Sequence, residues 1–566
     1  MPPVTACDDM PPLLPGQMRG LMMDRPLLIA PILRFAAEFH GDTPMITRSI
    51  EGPIHRTDYA TLHARVQQLA NALIDLGIKP GDRVATLAWN TWRHIELYYA
   101  ISGIGAVCHT LNPRLPPDQI CYIIRDAEDV ALFFDITFAE GARAIAEGAP
   151  SVRHFVALSD AAHTDQLRLA PKINVRAYED VIGNGAPVYD FPEFDENAAA
   201  SLCYTSGTTG NPKGVLYSHR SLVLHSYTLS ANFPIGVDET ALPVVPMFHV
   251  NAWGVPYAAP MGGASLVMPG RNLDGPSLFK LMDDEAVTSA HGVPTVWMGL
   301  IATMRAEGRK PHALRQVLIG GAAVPEAMLD AFESEFGIEV NHAWGMTEMS
   351  PIGVINTLKP KLQTLPSDAQ AKLKLKQGRG VFGVEMRLVD ADGRVLPHDG
   401  VAAGQLQVRG FAIMRRYFRS DSDATTDDGW FDTGDIATID ADGYMLITDR
   451  SKDVIKSGGE WISSVMLENA AMSHPAIAQA AVIGVPHPNW LERPLLIIVR
   501  QGDVDPTLDD VRGFLADKVP RWWLPDAIAF VEALPLGATG KVQKTALRSD
   551  FAAYRLPEEA ERAVGA

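Results

Sequence analysis

Between residues 58 and 76 the apolar positions Leu62, Val66, Leu69, Leu73 and Leu76 recur three and four apart, the spacing of one buried helix face. A Gly-Ile-Lys-Pro-Gly-Asp turn follows at 77–82, and the apolar run at 83–88 is short enough to predict a strand. A second helical pattern covers 93–104, with further strand candidates at 106–109 and 130–134. Alternation of this kind predicts βα units around a mainly parallel sheet, because parallel neighbours must be joined by a crossover. The alternation continues past residue 340. Residues 358–378 interrupt it: they are basic and poorly periodic, and read as a loop.

The pattern changes near residue 430. Apolar runs at 436–439 and 444–448 flank Asp440-Ala441-Asp442-Gly443, a hairpin signal. A charged junction, Asp449-Arg450-Ser451-Lys452-Asp453, comes next. Beyond it lie a helix candidate at 463–472, apolar strands at 480–485 and 495–499, and another helix candidate at 508–518. A segment of about 110 residues with its own strands and helices can form a small domain. The expected organisation is therefore a flexible extension at 1–20, a large α/β domain at 21–449, a hinge at 450–453 and a mobile α+β domain at 454–566.

Composition narrows the function. A chain of 566 residues exceeds what one core supports, and 47% hydrophobic with 20% charged residues is ordinary for a globular protein. A formal net charge of −18 argues against a general nucleic-acid binder, which needs surplus Lys and Arg to hold phosphates. Any anionic substrate must be met by locally placed cations, which directs attention to Lys and Arg in Gly-rich segments. Cys7, Cys108, Cys121 and Cys203 form no CxxC pair and lie near no spaced His ligands, so neither a disulfide framework nor a zinc site is expected, and a reduced cytoplasm fits. Residues 1–20 lack the basic end and continuous apolar run of a signal peptide, and no eighteen-residue apolar stretch predicts a membrane span.

The segment richest in chemistry is 201–219. A strand-like entry leads into Thr205-Ser206-Gly207-Thr208-Thr209-Gly210, followed by Lys213-Gly214. Glycines let backbone N–H groups approach an anion, hydroxyls add donors and a lysine adds charge, so the loop suits phosphate. The spacing is not that of a Walker A loop, and the same composition also makes plain surface loops. Four other segments carry small residues or paired polar groups: Gly320-Gly321-Ala322-Ala323-Val324-Pro325, Ala343-Trp344-Gly345-Met346-Thr347-Glu348, Gly429-Trp430-Phe431-Asp432-Thr433-Gly434-Asp435, and the charged junction. Pro535 to Lys544 completes the set, with Gly540-Lys541 at its centre.

In type and order these segments resemble the signatures of the acyl-adenylate-forming superfamily, which includes acyl-CoA synthetases, luciferases and peptide-synthetase adenylation domains. The likeness runs from about residue 30 to about residue 550. It implies a two-domain acyl-adenylate-forming fold and an enzyme using ATP, Mg2+ and coenzyme A. Thr205, Ser206, Gly207, Thr208, Thr209, Gly210 and Lys213 would bind the phosphates. Trp344, at a position usually tyrosine, would stack on adenine beside Gly345, with Gly321, Ala322 and Ala323 admitting the flat base. Thr347 would donate to phosphate, and Glu348 with Thr205 would hold Mg2+. Asp435 and Arg450 would hold the ribose, and Lys452 would be the pivot between domains. Lys541 matches the catalytic lysine of the C-terminal loop, although Leu536 stands where a basic residue is usual. Thr205, Lys213 and His249 join it as catalytic candidates.

The resemblance also assigns the other substrates. Pro246 to Gly254 is similar to the motif lining the carboxylate and acyl site, with His249, Val250 and Trp253 as candidates; apart from the resemblance, Met247, Trp253, Trp297, Met346 and Ile352 are apolar enough to line a pocket and equally suited to the core. Ser457, Gly458, Gly459, Glu460 and Trp461 are similar to the loop beside the pantetheine channel. The segments as a whole look closest to medium-chain alkanoate–CoA ligases and 3-(methylthio)propionate–CoA ligases of bacteria. The expected reaction is acyl-AMP formation followed by thioester formation, in a cytoplasmic enzyme that relatives suggest is a homodimer. Two other readings stay open: an adenylating enzyme serving a separate carrier protein, and a non-catalytic acyl or nucleotide sensor.

Overall fold

The computed structural model describes residues 14–18, 20–167, 173–205, 211–458, 460–502, 505–537 and 542–556. The expected helix at 58–76 is Tyr59–Asp75, with Leu62, Val66, Leu69 and Leu73 buried. Its start is fixed by Asp58, whose carboxylate accepts the Thr61 N–H at 2.7 Å, a cap worth about 1 kcal/mol. The helix Trp92–Gly103 is buried along its whole length, so it must lie between layers rather than on one.

Among the described residues the strands form four sheets. The first has seven strands in the order Val175–Ala177, His154–Ala157, Ala131–Phe134, Arg83–Leu87, Val107–Thr110, Ala199–Tyr204 and Gly214–Ser218. All its pairings are parallel except the last, a hairpin between the final two strands. The second has nine strands, parallel from Glu339–Gly345 through Gln316–Ile319, Ser289–Gly292, Thr240–Pro243 and Ser265–Met268 to Pro44–Arg48, with antiparallel strands at either end. A core containing Leu69, Tyr98, Tyr99, Leu222, Val255 and Leu318 fills the space between these two sheets. The helices Gly275–Asp284 and Pro294–Glu307 cover the outer face of the nine-stranded sheet, and Pro117–Ala127 with Ala139–Gly148 cover the outer face of the other. The mainly parallel α/β architecture is as the alternation predicts.

Two expectations are corrected. Residues 358–378 are not simply loop: Ser367–Lys374 is a helix. Its Ala371 packs on the outer core of the nine-stranded sheet, and its Lys374 and the Lys376 just after it are matched by acids elsewhere, Glu333 and Asp440, both at 2.6 Å. The change of style also comes before residue 430. Val384–Val389, Gly404–Gly410, Phe431–Ile439 and Met445–Arg450 form one antiparallel sheet, of which the 440–443 hairpin is only the last turn.

From Ile455 onward the chain builds a separate sheet and two cores of its own. Leu491–Arg500 is central, paired with Ile477–His487, Ala527–Phe530 and Ile455–Ser457. The helices Ser464–Ala471 and Leu508–Leu515 pack on one face.

Candidate active site

The antiparallel pair Ala199–Tyr204 and Gly214–Ser218 presents the predicted phosphate loop at its open end. The Thr205 N–H donates to the Lys213 carbonyl at 2.9 Å, which closes the base of the loop. Ser206, Gly207, Thr208, Thr209 and Gly210 lie outside the described residues. The Tyr217 hydroxyl donates to the Thr347 carbonyl at 2.6 Å, which sets the 347–348 turn against this hairpin. Glu348 on that turn is buried, and its Oε1 accepts the Tyr417 hydroxyl at 2.8 Å. The Lys213 ammonium sits 4.9 Å from the centroid of the same tyrosine ring. Burial first, and the Glu348 charge second, raise the Tyr417 pKa, so the phenol stays a donor. Tyr417 carries no motif in the sequence reading; its place in the Arg415-Arg416-Tyr417-Phe418 run is the only local signal.

Trp344 ends the strand Glu339–Gly345. Its indole N–H donates to Asp435 Oδ2 at 2.9 Å, and Arg450 Nε lies 3.0 Å from Asp435 Oδ1. Asp435 and Arg450 face each other in register across neighbouring antiparallel strands, and Asp435 is only 3% exposed. Gly345 has no room for a side chain: a Cβ there would stand 1.9 Å from the Pro351 carbonyl oxygen, which accepts the Met346 N–H at 3.1 Å. Gly321 takes the left-handed conformation, φ +83°, and with Ala322 is exposed, so this turn offers bare backbone beside Trp344's strand. The predicted phosphate, base and ribose groups therefore converge, as far as the described residues reach.

His249 is half-buried just before an unusual segment. Val250, Asn251, Ala252 and Trp253 have φ of 48°, 51°, 48° and 58°, and Gly254 follows at 82°. A left-handed non-glycine residue costs about 1–2 kcal/mol. Here the Asn251 Oδ1 accepts the buried Ser201 hydroxyl at 3.2 Å, tying the turn to the strand that enters the phosphate loop. The turn sends the Trp253 indole beneath Gly320, where a Cβ would meet Cη2 at 3.0 Å. Gly254 lies against His225, whose Nδ1 would be 2.8 Å from a Cβ there; His225 Nε2 accepts the Ile352 N–H at 3.0 Å. Burial pushes the His225 pKa down to about 3, so it acts as a neutral acceptor. Met247, Val250 and Ile352 belong to the central core and Met346 is half-buried beside Trp344's cluster. Trp297 stands apart: it is fully buried on the other face of the nine-stranded sheet, edge-on to Phe332.

At the charged junction, Asp449 Oδ2 accepts the Ser464 N–H at 2.6 Å and its Oδ1 accepts the Ser464 hydroxyl at 2.9 Å. Lys544 reaches the same serine at 2.6 Å and Glu468 at 2.7 Å. Between these anchors, the Lys452 carbonyl accepts from Arg548 at 3.3 Å, and Arg548 pairs with Asp453 at 2.9 Å. Burial lowers the Lys452 pKa. Lys541 lies outside the described residues; its loop is closed at the base by the Gln543 N–H donating to Pro535 at 2.8 Å, with Leu536 half exposed. In the Gly458 turn, Ser457 is buried and accepts from Arg493 at 3.2 Å, while Gly458, φ +61°, packs directly against Trp490. Trp461 and Trp490 are exposed beside it, Glu460 is in a short strand, and Gly459 lies outside the described residues.

The AMP-binding enzyme family profile matches residues 33–418, and the AMP-binding enzyme C-terminal domain profile matches 466–541. The chain is 50% identical to a 3-methylmercaptopropionyl-CoA ligase of Ruegeria lacuscaerulensis, over 94% of this chain and 99% of the relative. It is 49% identical to a medium-chain-fatty-acid–CoA ligase of Ectopseudomonas oleovorans, over 94% and 98% of the two chains. Among solved structures, it is similar to the anthranilate CoA ligase AuaEII in complex with anthranoyl-AMP, with a TM-score of 0.82, 25% identity, and coverage of 93% and 98%.

Proposed function

The chain belongs to the AMP-binding enzyme family, and from that premise we propose that it is an acid–thiol ligase converting a short- to medium-chain carboxylic acid, a fatty acid or 3-(methylthio)propionate, to its CoA thioester. ATP and CoA are the co-substrates, and AMP and pyrophosphate the products. The observation that carries the reading is that two contact clusters, Lys213–Tyr417–Glu348 and Trp344–Asp435–Arg450, are joined through the 344–348 segment. It is supported by two ligases of such acids at 49–50% identity over nearly the whole chain.

In the first half-reaction the substrate carboxylate oxygen bonds to the α-phosphorus of ATP, and the bond from that phosphorus to the pyrophosphate oxygen breaks. Trp344 stacks on the base, and Asp435 with Arg450 holds the ribose, so the α-phosphorus is presented from a fixed side. Thr205, Thr347 and Lys213 bind the phosphates, and Lys541 neutralises charge as pyrophosphate leaves. Glu348 fits a Mg2+ ligand: it is a hard carboxylate on a turn facing the phosphate loop, and Mg2+ usually takes one or two protein carboxylates together with phosphates and waters. Glu348 and Thr205 are the residues that would hold the ion, which would supply Lewis-acid polarisation of the ATP phosphates. His249 and Trp253 hold the acid.

In the second half-reaction the CoA thiol sulfur bonds to the acyl carbonyl carbon, AMP leaves with the bonding pair, and the thiol proton passes to solvent. We assign the small domain's rotation about Lys452 to the switch between steps, withdrawing Lys541 and presenting the Gly458 turn with Ser457, Gly459, Glu460 and Trp461 to the pantetheine arm.

The test is CoA-dependent thioester and AMP formation over a straight-chain acid series that includes 3-(methylthio)propionate, with Lys541→Ala as control. Thioester formed by the wild type and lost in the variant supports the ligase, and the highest kcat/KM identifies the acid. AMP and pyrophosphate without thioester would move the acceptor to a carrier protein. No turnover with any acid would sink the catalytic reading.

A further inference from the structure

The segment that leads into His249 is gripped from the opposite layer. Residues 244–248 run on from the strand Thr240–Pro243 of the nine-stranded sheet, but their backbone is met by side chains from the seven-stranded side. Asn90, buried just past the strand Arg83–Leu87, donates through Nδ2 to the Pro243 and Val245 carbonyls, both at 2.8 Å. Its Oδ1 accepts the Met247 N–H at 2.7 Å. The Tyr98 hydroxyl, on the buried helix Trp92–Gly103, donates to the Met247 carbonyl. Both backbone groups of Met247, two residues before His249, are thereby taken by that layer.

Asn90 is itself fixed. The Trp89 N–H donates to Asp135 Oδ2 at 2.6 Å, His94 Nδ1 donates to the Trp89 carbonyl at 3.0 Å, and the Asn90 carbonyl accepts the Gly270 N–H at 3.2 Å. The Trp89 ring meets Phe248 edge-on, with centroids 6.0 Å apart. A buried irregular segment must find partners for its N–H and C=O groups, and one carboxamide supplies two donors and an acceptor. An ionised aspartate could serve only the Met247 N–H and would turn a charge towards two carbonyl oxygens. A leucine could serve none of the three groups.

We propose that Asn90 is a positioning residue for the acid: it sets the register of 243–248 and, through it, the placement of His249 and Trp253. The proposal rests on the assignment of those two residues to acid binding above. Trp344, Asp435 and Arg450 lie on other strands, so a change at Asn90 should leave nucleotide recognition intact.

The experiment is steady-state kinetics of the wild type and Asn90→Ala over the straight-chain acid series, with acid and ATP varied in turn and Tm measured alongside. In Asn90→Ala the KM for the acid should rise by about tenfold, the KM for ATP should stay within about twofold, and the ranking of acids by kcat/KM should change. A residue that only supports the fold would lower the Tm and the active fraction, which reduces kcat equally for every acid and moves no KM. That outcome overturns the proposal, as does an equal rise in both KM values. Should Asn90→Ala not fold, Asn90→Asp keeps the shape and the acceptor for Met247 and decides the matter: an acid KM raised by about threefold or more supports the proposal, and a smaller change overturns it. His249→Ala and Trp253→Ala are the controls. If neither alters the acid KM of an enzyme that turns over, the acyl-site assignment falls and the proposal with it. No turnover by the wild type overturns the ligase reading and so both.

Discussion

The Trp344 indole and the Asp435 carboxylate are joined by a 2.9 Å hydrogen bond, so the side chain read as an adenine platform also holds the group read as a ribose acceptor. With Arg450 on its other oxygen, the carboxylate plane is fixed before any nucleotide arrives. The residue types at the two positions are legible in sequence, but the bond between them is not, because it joins separate motifs on different sheets.

Trp344→Phe keeps a ring for stacking and removes the donor. A hydrogen bond to a charged group contributes about 1.5–3 kcal/mol, so KM for ATP should rise by about tenfold or more, with a smaller change in kcat. Steady-state kinetics with ATP varied checks this. An unchanged KM would show that the bond does not preorganise Asp435.

Gly345→Ala should be poorly tolerated, since its Cβ meets a backbone oxygen that cannot move without opening the 345–352 turn. Overpacking of this kind costs about 1–3 kcal/mol or more. The expected result is a lowered Tm together with impaired ATP binding. A variant with wild-type stability and affinity would contradict the tightness of the turn.

His291 gives a pH prediction. It is fully buried, edge-on to Phe233, with neither ring nitrogen hydrogen-bonded among the described residues, and burial pushes its pKa down to about 3. The unfolded chain titrates near pH 6.5 and so binds more protons than the folded one between about pH 6.5 and 3. This histidine's contribution is therefore fully present above about pH 6.5 and declines as pH falls through that window. Relative to wild type, His291→Leu should gain about 2 kcal/mol at pH 5 over its value at pH 8, from about 1.4 kcal/mol per pH unit. Urea unfolding at the two pH values measures it, and a pH-independent difference would refute it.

Asp449 opens the charged junction, and its carboxylate accepts the N–H of Ser464, the first residue of the helix Ser464–Ala471 beyond it. The proposed rotation about Lys452 would move those two partners relative to each other, so under that proposal their bond belongs to one domain orientation. Asp449→Ala should therefore slow one half-reaction by about tenfold and leave the other nearly unchanged. Pyrophosphate exchange and thioester formation from preformed acyl-AMP separate the two. Equal effects on both would mean that Asp449 supports the fold and not the switch.

How far the sequence speaks depends on the range of the forces involved. The helix Tyr59–Asp75 is legible because its periodicity and its Asp58 cap are local, and the 440–443 turn because Asp and Gly dictate it. The helix Ser367–Lys374 is hidden because the lysines in it and just after it look like a solvated run until Glu333 and Asp440 are brought to them. Tyr417 is hidden for the same reason, its meaning coming from two partners far away in the chain. Trp297 shows the opposite case: a large aromatic read as a pocket candidate sits on the helix Pro294–Glu307, which packs it against the outer face of the nine-stranded sheet. Asn251 left one signal, since Asn tolerates the left-handed region better than its apolar neighbours do.

The left-handed turn from Val250 to Gly254 also bears on how this protein could acquire a different diet. One short peptide stretch both presents His249 and swings Trp253 back under Gly320. An inserted residue would turn the indole away from Gly320, and a side chain at Gly254 would strike His225. Gradual adaptation to longer or shorter acids is thus channelled away from the turn and towards what faces the indole, with Gly320 the first position at which natural variants or directed evolution should register the change.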